Sequence, residues 1–306
     1  MDILQPIIAL LFFPAGLFVI GNGLAYMWVD RKLVAQYQNR IGPRWFQPLA
    51  DIMKLLSKEE IIPEHVDPKL FIGLPLLALA CALTAALYVP LLGFQPVLSF
   101  QGDLIVTIYL LSVVTMSLAL AGANTADRFS LIGAVRTLTQ LFSYEAPFLL
   151  ALLGPAIVAG SWQISTINSF AGNHWIVLTQ PIGFVIALIG LMGKLELPPF
   201  DAPEAETEIV KGALTEYSGR GLALFQLAKS VELVVGLTLI AAFYLGGIAN
   251  PITFFLKTLI LLLVLAGLQS LFARFRIEQT ARWWRYASVL VLVQWVVIAM
   301  LGGKTL

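Results

Sequence analysis

The sequence has one cysteine, Cys81, and two histidines, His65 and His174, among 306 residues. A single thiol excludes a disulfide framework within the chain and a zinc or iron–sulfur centre ligated by its own cysteines. Two histidines are too few for a histidine-rich metal or haem site. We therefore expect this chain to bind no metal or redox cofactor, and any redox chemistry nearby to be held by partners.

Charge is also scarce, since 12% of the residues are charged and 59% are hydrophobic. A soluble globular domain is about a quarter charged and about half apolar. The net charge of +1 indicates no nucleic-acid partner. The composition instead indicates that the lipid bilayer surrounds most of the chain.

Eight apolar stretches are long enough to cross a bilayer, whose core of about 30 Å requires about 20 helical residues. They are continuous apolar runs, unlike the alternating segments of a membrane β-barrel. We predict an all-α polytopic membrane protein with a single transmembrane domain over residues 1–306. The predicted spans are 3–29, 70–92, 104–123, 138–159, 175–195, 222–245, 252–272 and 285–301.

The basic residues predict the orientation of these spans. Sixteen of the nineteen lysines and arginines lie in or directly beside four connecting segments, together with fourteen of the eighteen acids. The segments are approximately 30–69, 124–137, 196–221 and 273–284. By the positive-inside rule they face the cytoplasm of a prokaryote and both termini lie outside. Docking and chemistry are therefore expected at the cytoplasmic face of the cell membrane.

The first charged segment contains an amphipathic helix. Its apolar residues recur at helical spacing, at Phe46, Leu49, Ile52, Met53 and Leu56. Asp51, Lys54 and Lys58 stand on the opposite face. This pattern favours a short helix in the plane of the membrane interface. A solvated helix that covers the ends of other helices is the alternative.

The third charged segment is strongly acidic. Five acids lie within the sixteen residues 201–216 of this segment, at Asp201, Glu204, Glu206, Glu208 and Glu216. We predict that a helix begins at Asp201 and places Glu204 and Glu208 on one face, where they repel each other. Crowded carboxylates have raised pKa values, as a proton-handling site requires. A solvated acidic helix would explain the same composition.

The informative charged residues inside predicted spans are Glu145, Lys229, Glu232 and Lys257. A charge in mid-membrane costs about 2.5–3.5 kcal/mol on insertion scales, so such residues usually serve a function. Lys229 and Glu232 are three residues apart on one predicted helix and are expected to pair. Lys257, closer to a helix end, is expected to snorkel to the headgroups. Interhelical hydrogen bonds are the structural alternative for the first three.

Four groups of motifs resemble one family in order along the chain. They are Asp30-Arg31-Lys32 with Gln38-Asn39-Arg40-Ile41-Gly42-Pro43 and the 47–59 helix, Ser143-Tyr144-Glu145, Pro199-Phe200-Asp201 with Glu204-Ala205-Glu206, and Glu216-Tyr217-Ser218-Gly219. This set is similar to the H subunit of respiratory complex I, which is subunit 1 in mitochondria. The resemblance covers most of the chain.

The resemblance implies a non-redox membrane subunit that joins an iron–sulfur arm to antiporter-like membrane subunits and couples electron transfer to proton or sodium translocation. It implies residues of the coupling path at Glu145, Asp201, Glu204, Glu206, Glu208, Glu216, Lys229 and Glu232. It also implies chamber or arm-interface residues at Asp30, Arg31, Arg40, Asp51, Lys54, Lys58, Glu59, Arg276 and Glu278.

Two departures indicate a branch of the family. The chain has Asp30 where complex I relatives usually have Glu, and Arg276-Ile277-Glu278-Gln279 where they tend to Arg-Tyr-Asp-Gln. This form is more similar to membrane-bound [NiFe] hydrogenases and sulfur-reducing relatives, whose large subunits hold the catalytic centre and whose quinone pocket is reduced or absent. A quinone-chamber subunit of an NADH, ferredoxin or reduced-deazaflavin:quinone oxidoreductase is the alternative. A passive anchor and a self-sufficient transporter are further alternatives.

Overall fold

The computed structural model of the chain describes residues 4–125 and 127–300. All regular elements in these ranges are helical, which confirms the predicted all-α class. The helices are α1 (Leu4–Leu11), α2 (Gly16–Tyr37), α3 (Gln47–Ser57), α4 (Pro68–Ala86), α5 (Asp103–Asn124), α6 (Arg128–Ala159), α7 (Ile164–Asn173), α8 (Ile176–Thr179), α9 (Pro181–Lys194), α10 (Glu206–Ile209), α11 (Gly219–Tyr244), α12 (Pro251–Leu271) and α13 (Ile277–Met300).

Seven helices in the described ranges are long and apolar enough to cross a membrane. The span predicted at 175–195 differs, because it is broken at Gln180 into the single turn α8 and the 14-residue helix α9. Pro181 is the first residue of α9 and has no N–H group with which to continue a helix from α8. At 1.5 Å per residue α9 is about 21 Å long, shorter than the bilayer core of about 30 Å.

Other helices begin or end away from the predicted bounds. The first predicted span is divided between α1 and α2, and α2 continues to Tyr37. α6 begins at Arg128, where the Asp127 side chain accepts a hydrogen bond from the Ser130 N–H. α13 begins at Ile277 instead of 285. Hydropathy locates the membrane-crossing part of a helix, whereas caps decide where its hydrogen bonds begin.

α11 is the central helix of the bundle, and every residue from Ser230 to Tyr244 is buried. It packs against α4, α2, α3 and α12. Two of its three charged residues, Lys229 and Glu232, lie inside the protein instead of facing lipid, whereas the third, Arg220, is exposed. A buried charge requires a partner of opposite charge or a bound proton.

The predicted amphipathic helix is confirmed as α3, which packs against α11 and α2. Ile52 is buried against the bundle, whereas Leu49 and Met53 are more than half exposed. Only part of the predicted apolar face therefore packs within this chain. The rest of that face is available to lipid or to another protein of a complex.

Candidate functional site

The segment between α9 and α11 is an irregular loop that contains one four-residue helix, α10, and two 3₁₀ turns. The predicted helix from Asp201 is therefore wrong. The short helix α10 ends at Ile209, because the next residues include Val210 and Gly212, whose φ angles of 59° and 56° do not continue an α-helix. Glu204 and Glu208 do not share a helix face, because the chain turns between them and each binds a different cation.

Three of the ion pairs of this loop attach it to α6, to α11 and to the segment between α12 and α13. Arg274 donates two hydrogen bonds to Asp201, from Nε at 2.8 Å and from Nη2 at 2.5 Å. Arg136 on α6 donates to Glu208 at 2.6 Å and to the Ala202 carbonyl. The third pair joins Glu204 to α11. The acidic loop is thus fixed at three separate points instead of being a solvated helix.

Lys229 is the cation shared by two carboxylates. Its Nζ donates to Glu196 Oε2 at 2.6 Å and to Glu204 Oε1 at 2.5 Å. The predicted pair between Lys229 and Glu232 is therefore wrong. Lys229 points to the loop, whereas Glu232, almost one helical turn further along α11, points to α9. The spacing in the sequence shows that Lys229 and Glu232 are neighbours on one helix. It does not show which other parts of the chain pack against each of them.

Glu232 pairs with Lys194, the last residue of α9, at 3.3 Å between Oε1 and Nζ. Both side chains are at most 2% exposed. The Lys194 ammonium also lies 5.6 Å from the centre of the Tyr144 ring on α6, a cation–π contact. The Tyr144 hydroxyl is 3.3 Å from Thr115 Oγ1 on α5. Polar groups therefore continue from the loop into the bundle.

We call Glu196, Glu204, Lys229, Lys194 and Glu232 the charge network. Its three carboxylates exceed its two ammonium groups by one negative charge. Burial raises the pKa of Glu196, the opposing effect of Lys229 lowers it, and neighbouring Glu204 raises it further. A network with one excess carboxylate at low dielectric favours binding a proton. Its protonation can therefore respond to changes in nearby charge.

Glu196 has an unusual backbone conformation, with φ of 54°. It follows the end of α9, and the Leu197 N–H binds the Met192 carbonyl, as in the helix ends where glycine usually stands. A residue other than glycine in this left-handed conformation costs roughly 1 kcal/mol or more of conformational free energy. This strained position directs the Glu196 carboxylate into the bundle toward Lys229.

Several polar atoms around the charge network are buried without a hydrogen-bond partner among the described residues. Among them are Gln140 Oε1 and Trp284 Nε1. Gln140 meanwhile donates to the carbonyls of Gly193 and Phe200, at 2.8 and 2.7 Å. It therefore joins α6 to both sides of Lys194 and Glu196 and positions the two.

A cavity of about 230 Å³ adjoins the network. Asp30 and Arg31 from α2 line it together with Glu196, Glu204 and Lys229. Gln269 donates to Asp30 at 3.0 Å, and Arg31 lies 3.4 Å from Asp51 on α3. The structure thus brings the predicted chamber residues Asp30 and Arg31 next to the predicted coupling residues Glu204 and Lys229.

The other predicted site residues lie outside the network. Glu145 and Glu216 are half-buried and have no side-chain partner in the described part of the chain, and the side chain of Glu206 lies outside the described residues. Exposed on the loop side are Arg40, Lys54, Lys58, Glu59, Arg276 and Glu278. Lys257 donates to the carbonyls of Gly246 and Gly247, so its ammonium group binds the turn between α11 and α12.

Sequence reasoning missed Lys194 and Glu196 as site residues. Both were counted only as charges at the border of a hydrophobic span. One signal was available, because Lys194 is the first Asp, Glu, Lys or Arg after Glu145 and Glu196 follows two residues later. Within the described ranges no group of three or more His, Cys, Asp or Glu side chains is arranged to hold a metal ion.

The fold and the site define a polytopic α-helical membrane subunit with a buried network of acidic and basic side chains beside its charged loops. The family model described as NADH dehydrogenase matches residues 8–299. The H subunit of the NADH-quinone oxidoreductase of Thermomicrobium roseum is 34% identical over 297 residues, covering 86% of this chain and 87% of that protein. The corresponding protein of Carboxydothermus hydrogenoformans is 32% identical over 285 residues, covering 88% and 81%.

The chain therefore belongs to the family of these H subunits, the membrane subunits of complex I-like oxidoreductases. A solved structure of the membrane-bound sulfane sulfur reductase, an archaeal respiratory membrane complex, contains a chain of the same fold. The TM-score is 0.86 with 23% sequence identity, and the match covers 96% of this chain and 98% of that one.

Proposed function

We propose that this subunit couples electron transfer in a docked arm to the translocation of protons or sodium ions. The observation that carries the proposal is the charge network, in which two ammonium groups face three carboxylates between α9, α11 and the acidic loop. A charge or conformational change at the loop would alter which carboxylate retains a proton. Because the groups are buried, one such change acts strongly on the others.

The charged loops face the cytoplasm in this proposal, and both termini lie on the outer side of a prokaryotic cell membrane. Iron–sulfur and hydrogenase-like large subunits dock on the loop side and hold the redox centres, while this chain holds none. The exposed apolar residues of α3, Leu49 and Met53, support a docking surface there. The exposed charges Lys54 and Lys58 lie on or directly after the same short helix.

Glu145 supports the transfer of this change to a neighbouring membrane subunit. It lies in the middle of α6, is half-buried, and has no ion pair or hydrogen bond in the described part of the chain. Next to it, Tyr144 is buried against Lys194, while Phe142 is strongly exposed. A carboxylate at this depth requires a polar partner. An antiporter-like membrane subunit on this face of α6 would supply it.

We favour a hydrogenase-type or sulfur-reducing complex as the particular assembly. The cavity beside Asp30 has about 230 Å³ and five charged residues in its wall, whereas pockets for drug-sized ligands usually have about 300–1,000 Å³ and mainly apolar walls. A quinone-chamber role is the second candidate, favoured by relatives that are named as parts of an NADH-quinone oxidoreductase. Identifying the large subunit that co-purifies distinguishes them, since a nickel centre with four cysteine ligands indicates a hydrogenase.

The coupling role is tested with Glu232→Gln, Glu196→Gln and Glu145→Gln in the complete complex reconstituted into liposomes. We expect electron transfer to continue while ion pumping per assembled complex falls, with unchanged yield of the complex for Glu196→Gln and Glu145→Gln. Glu64→Gln is the matched control, because Glu64 is exposed and lies outside the network. If pumping is unchanged in all three variants and only the yield falls, the subunit is a passive anchor.

A further inference from the structure

A second polar cluster lies at the opposite end of α9 from Lys194. Gln180, at the break before α9, donates from Nε2 to the Gly154 carbonyl on α6 at 3.2 Å. Gln294 on α13 accepts the Gly183 N–H through Oε1 at 2.9 Å. Both glutamines are buried, and neither takes part in the charge network.

Three atoms of this cluster are buried and have no partner among the described residues. They are Gln180 Oε1, Gln294 Nε2 and the indole Nε1 of Trp295. Leaving a buried polar atom unpaired costs about 1–3 kcal/mol. Three such atoms around the first turn of one helix indicate a ligand that satisfies them together.

Two glycines allow polar side chains to lie directly against the backbone of α6 and α9. A Cβ on Gly154 would collide with Gln180 Oε1 and lie 3.2 Å from Trp295 Nε1. A Cβ on Gly183 would lie 2.8 Å from the Tyr244 hydroxyl and 3.2 Å from Gln294 Nε2. The polar atoms therefore converge on positions where the chain carries no side chain.

The chemistry of the atoms selects the ligand. Two N–H donors disfavour a cation, the Gln180 carbonyl disfavours an anion, and these side chains carry no charge. Water accepts and donates hydrogen bonds, and buried water typically makes about three of them. We propose that Gln180, Gln294 and Trp295 bind water between α6, α9 and α13.

This water site is separate from the charge network. Between Gly183 and Lys194 α9 rises about 16 Å at 1.5 Å per residue. That stretch packs on apolar groups, with Phe148 against Gly190 and Leu191 against Gly236. The short helix α9 thus has a polar site at each end and a dry middle, so the water site is independent of the proposed coupling role.

X-ray radiolytic footprinting of the assembled complex tests the proposal, since hydroxyl radicals form in bound water and label the side chains beside it. We expect Trp295 to be labelled, and the label to fall several-fold in a Gln180→Leu, Gln294→Leu double variant. Phe243 is fully buried on α11 and is the control for a side chain with no water beside it, so it should remain unlabelled. An unchanged Trp295 label in the double variant overturns the proposal.

A second measurement needs no variant, in case the double variant fails to assemble. A structure of the wild-type complex at a resolution that shows water should contain density within hydrogen-bond distance of Gln180 Oε1 and Trp295 Nε1. If instead Trp295 donates directly to Gln180 with no water between them, the proposal is wrong.

Discussion

Lys194 Nζ and Glu232 Oε1 lie 3.3 Å apart, with 1% and 2% of their side chains exposed. Lys194 ends α9 and Glu232 lies within the central helix α11, so the pair joins these two helices. A buried ion pair is weak support for stability, because desolvation offsets most of the attraction. Removing one partner is different, since it leaves the other charge buried and unpaired.

We expect Lys194→Met to lower the free energy of unfolding by about 3–5 kcal/mol, because Glu232 loses its cation. The double variant Lys194→Met, Glu232→Leu should recover most of this loss while ion pumping stays low. Thermal unfolding of the purified complex and pumping assays measure the two effects. If the single and double variants are destabilised equally, the loss does not come from the unpaired charge of Glu232.

A matched exposed pair serves as the control. Arg31 and Asp51 lie 3.4 Å apart with 45% and 40% of their side chains exposed. Exposed pairs contribute about 0–1 kcal/mol. Asp51→Asn should therefore change the unfolding midpoint far less than Lys194→Met does.

The Tyr244 hydroxyl replaces a missing backbone hydrogen bond in α6. Pro155 has no N–H group to bind the Ala151 carbonyl one turn before it, and Tyr244 donates to that carbonyl at 2.5 Å. Tyr244→Phe should cost about 1 kcal/mol. Tyr109→Phe, at an exposed tyrosine of α5, is the control and should be near neutral.

A double-mutant cycle tests the reason. In a Pro155→Ala background the Ala151 carbonyl regains its helical partner, so Tyr244→Phe should cost clearly less there than in the wild-type chain. Unfolding midpoints of the four proteins give the coupling. Additive effects would show that Tyr244 does not act through this carbonyl.

Gly133 on α6 allows the acidic loop to pack close to the helix. A Cβ there would collide with the Ala213 N atom and lie 2.5 Å from the Gly212 carbonyl carbon. Gly133→Ala should destabilise by about 1–3 kcal/mol through overpacking, and should displace the loop. Gly73→Ala on α4 meets nothing within 4 Å and should be neutral or stabilising by up to about 1 kcal/mol.

The pKa of Glu196 predicts the pH dependence of stability. Burial raises this pKa above the ordinary 4.5, against the lowering effect of Lys229. Between 4.5 and the raised value the folded chain binds more protons than the unfolded chain, so this contribution to stability decreases as pH rises through that window. Glu196→Gln should flatten the dependence, as measured by unfolding midpoints against pH.

Glu208 should behave in the opposite way. Arg136 lowers the pKa of Glu208 below 4.5, so its contribution is present above that value and is lost as pH falls through the lowered pKa. Because the two windows lie on opposite sides of 4.5, the Glu208→Gln variant separates them. A loss of stability in Glu208→Gln that is absent above pH 4.5, or that persists unchanged below the lowered pKa, would contradict this assignment.

The sequence alone determined the class of protein, the amphipathic helix α3 and the family motifs. It also gave the number of apolar segments, of which one, α9, is shorter than a full membrane span. These are local properties, since hydropathy, helical spacing and short motifs are read within a few dozen residues. The same local reasoning located Lys229, Glu232 and the acidic loop as functional candidates.

Only the tertiary structure decided which charges meet. Lys229 binds Glu196 and Glu204 across 33 and 25 residues of sequence, and Glu232 binds Lys194 instead of its helical neighbour. Those partners depend on which helices pack together and on the turn at Glu196, which no local pattern specifies. The break at Gln180 is decided in the same way, because the Gln294 side chain of α13 accepts the Gly183 N–H and the Gln180 side chain donates to the Gly154 carbonyl of α6.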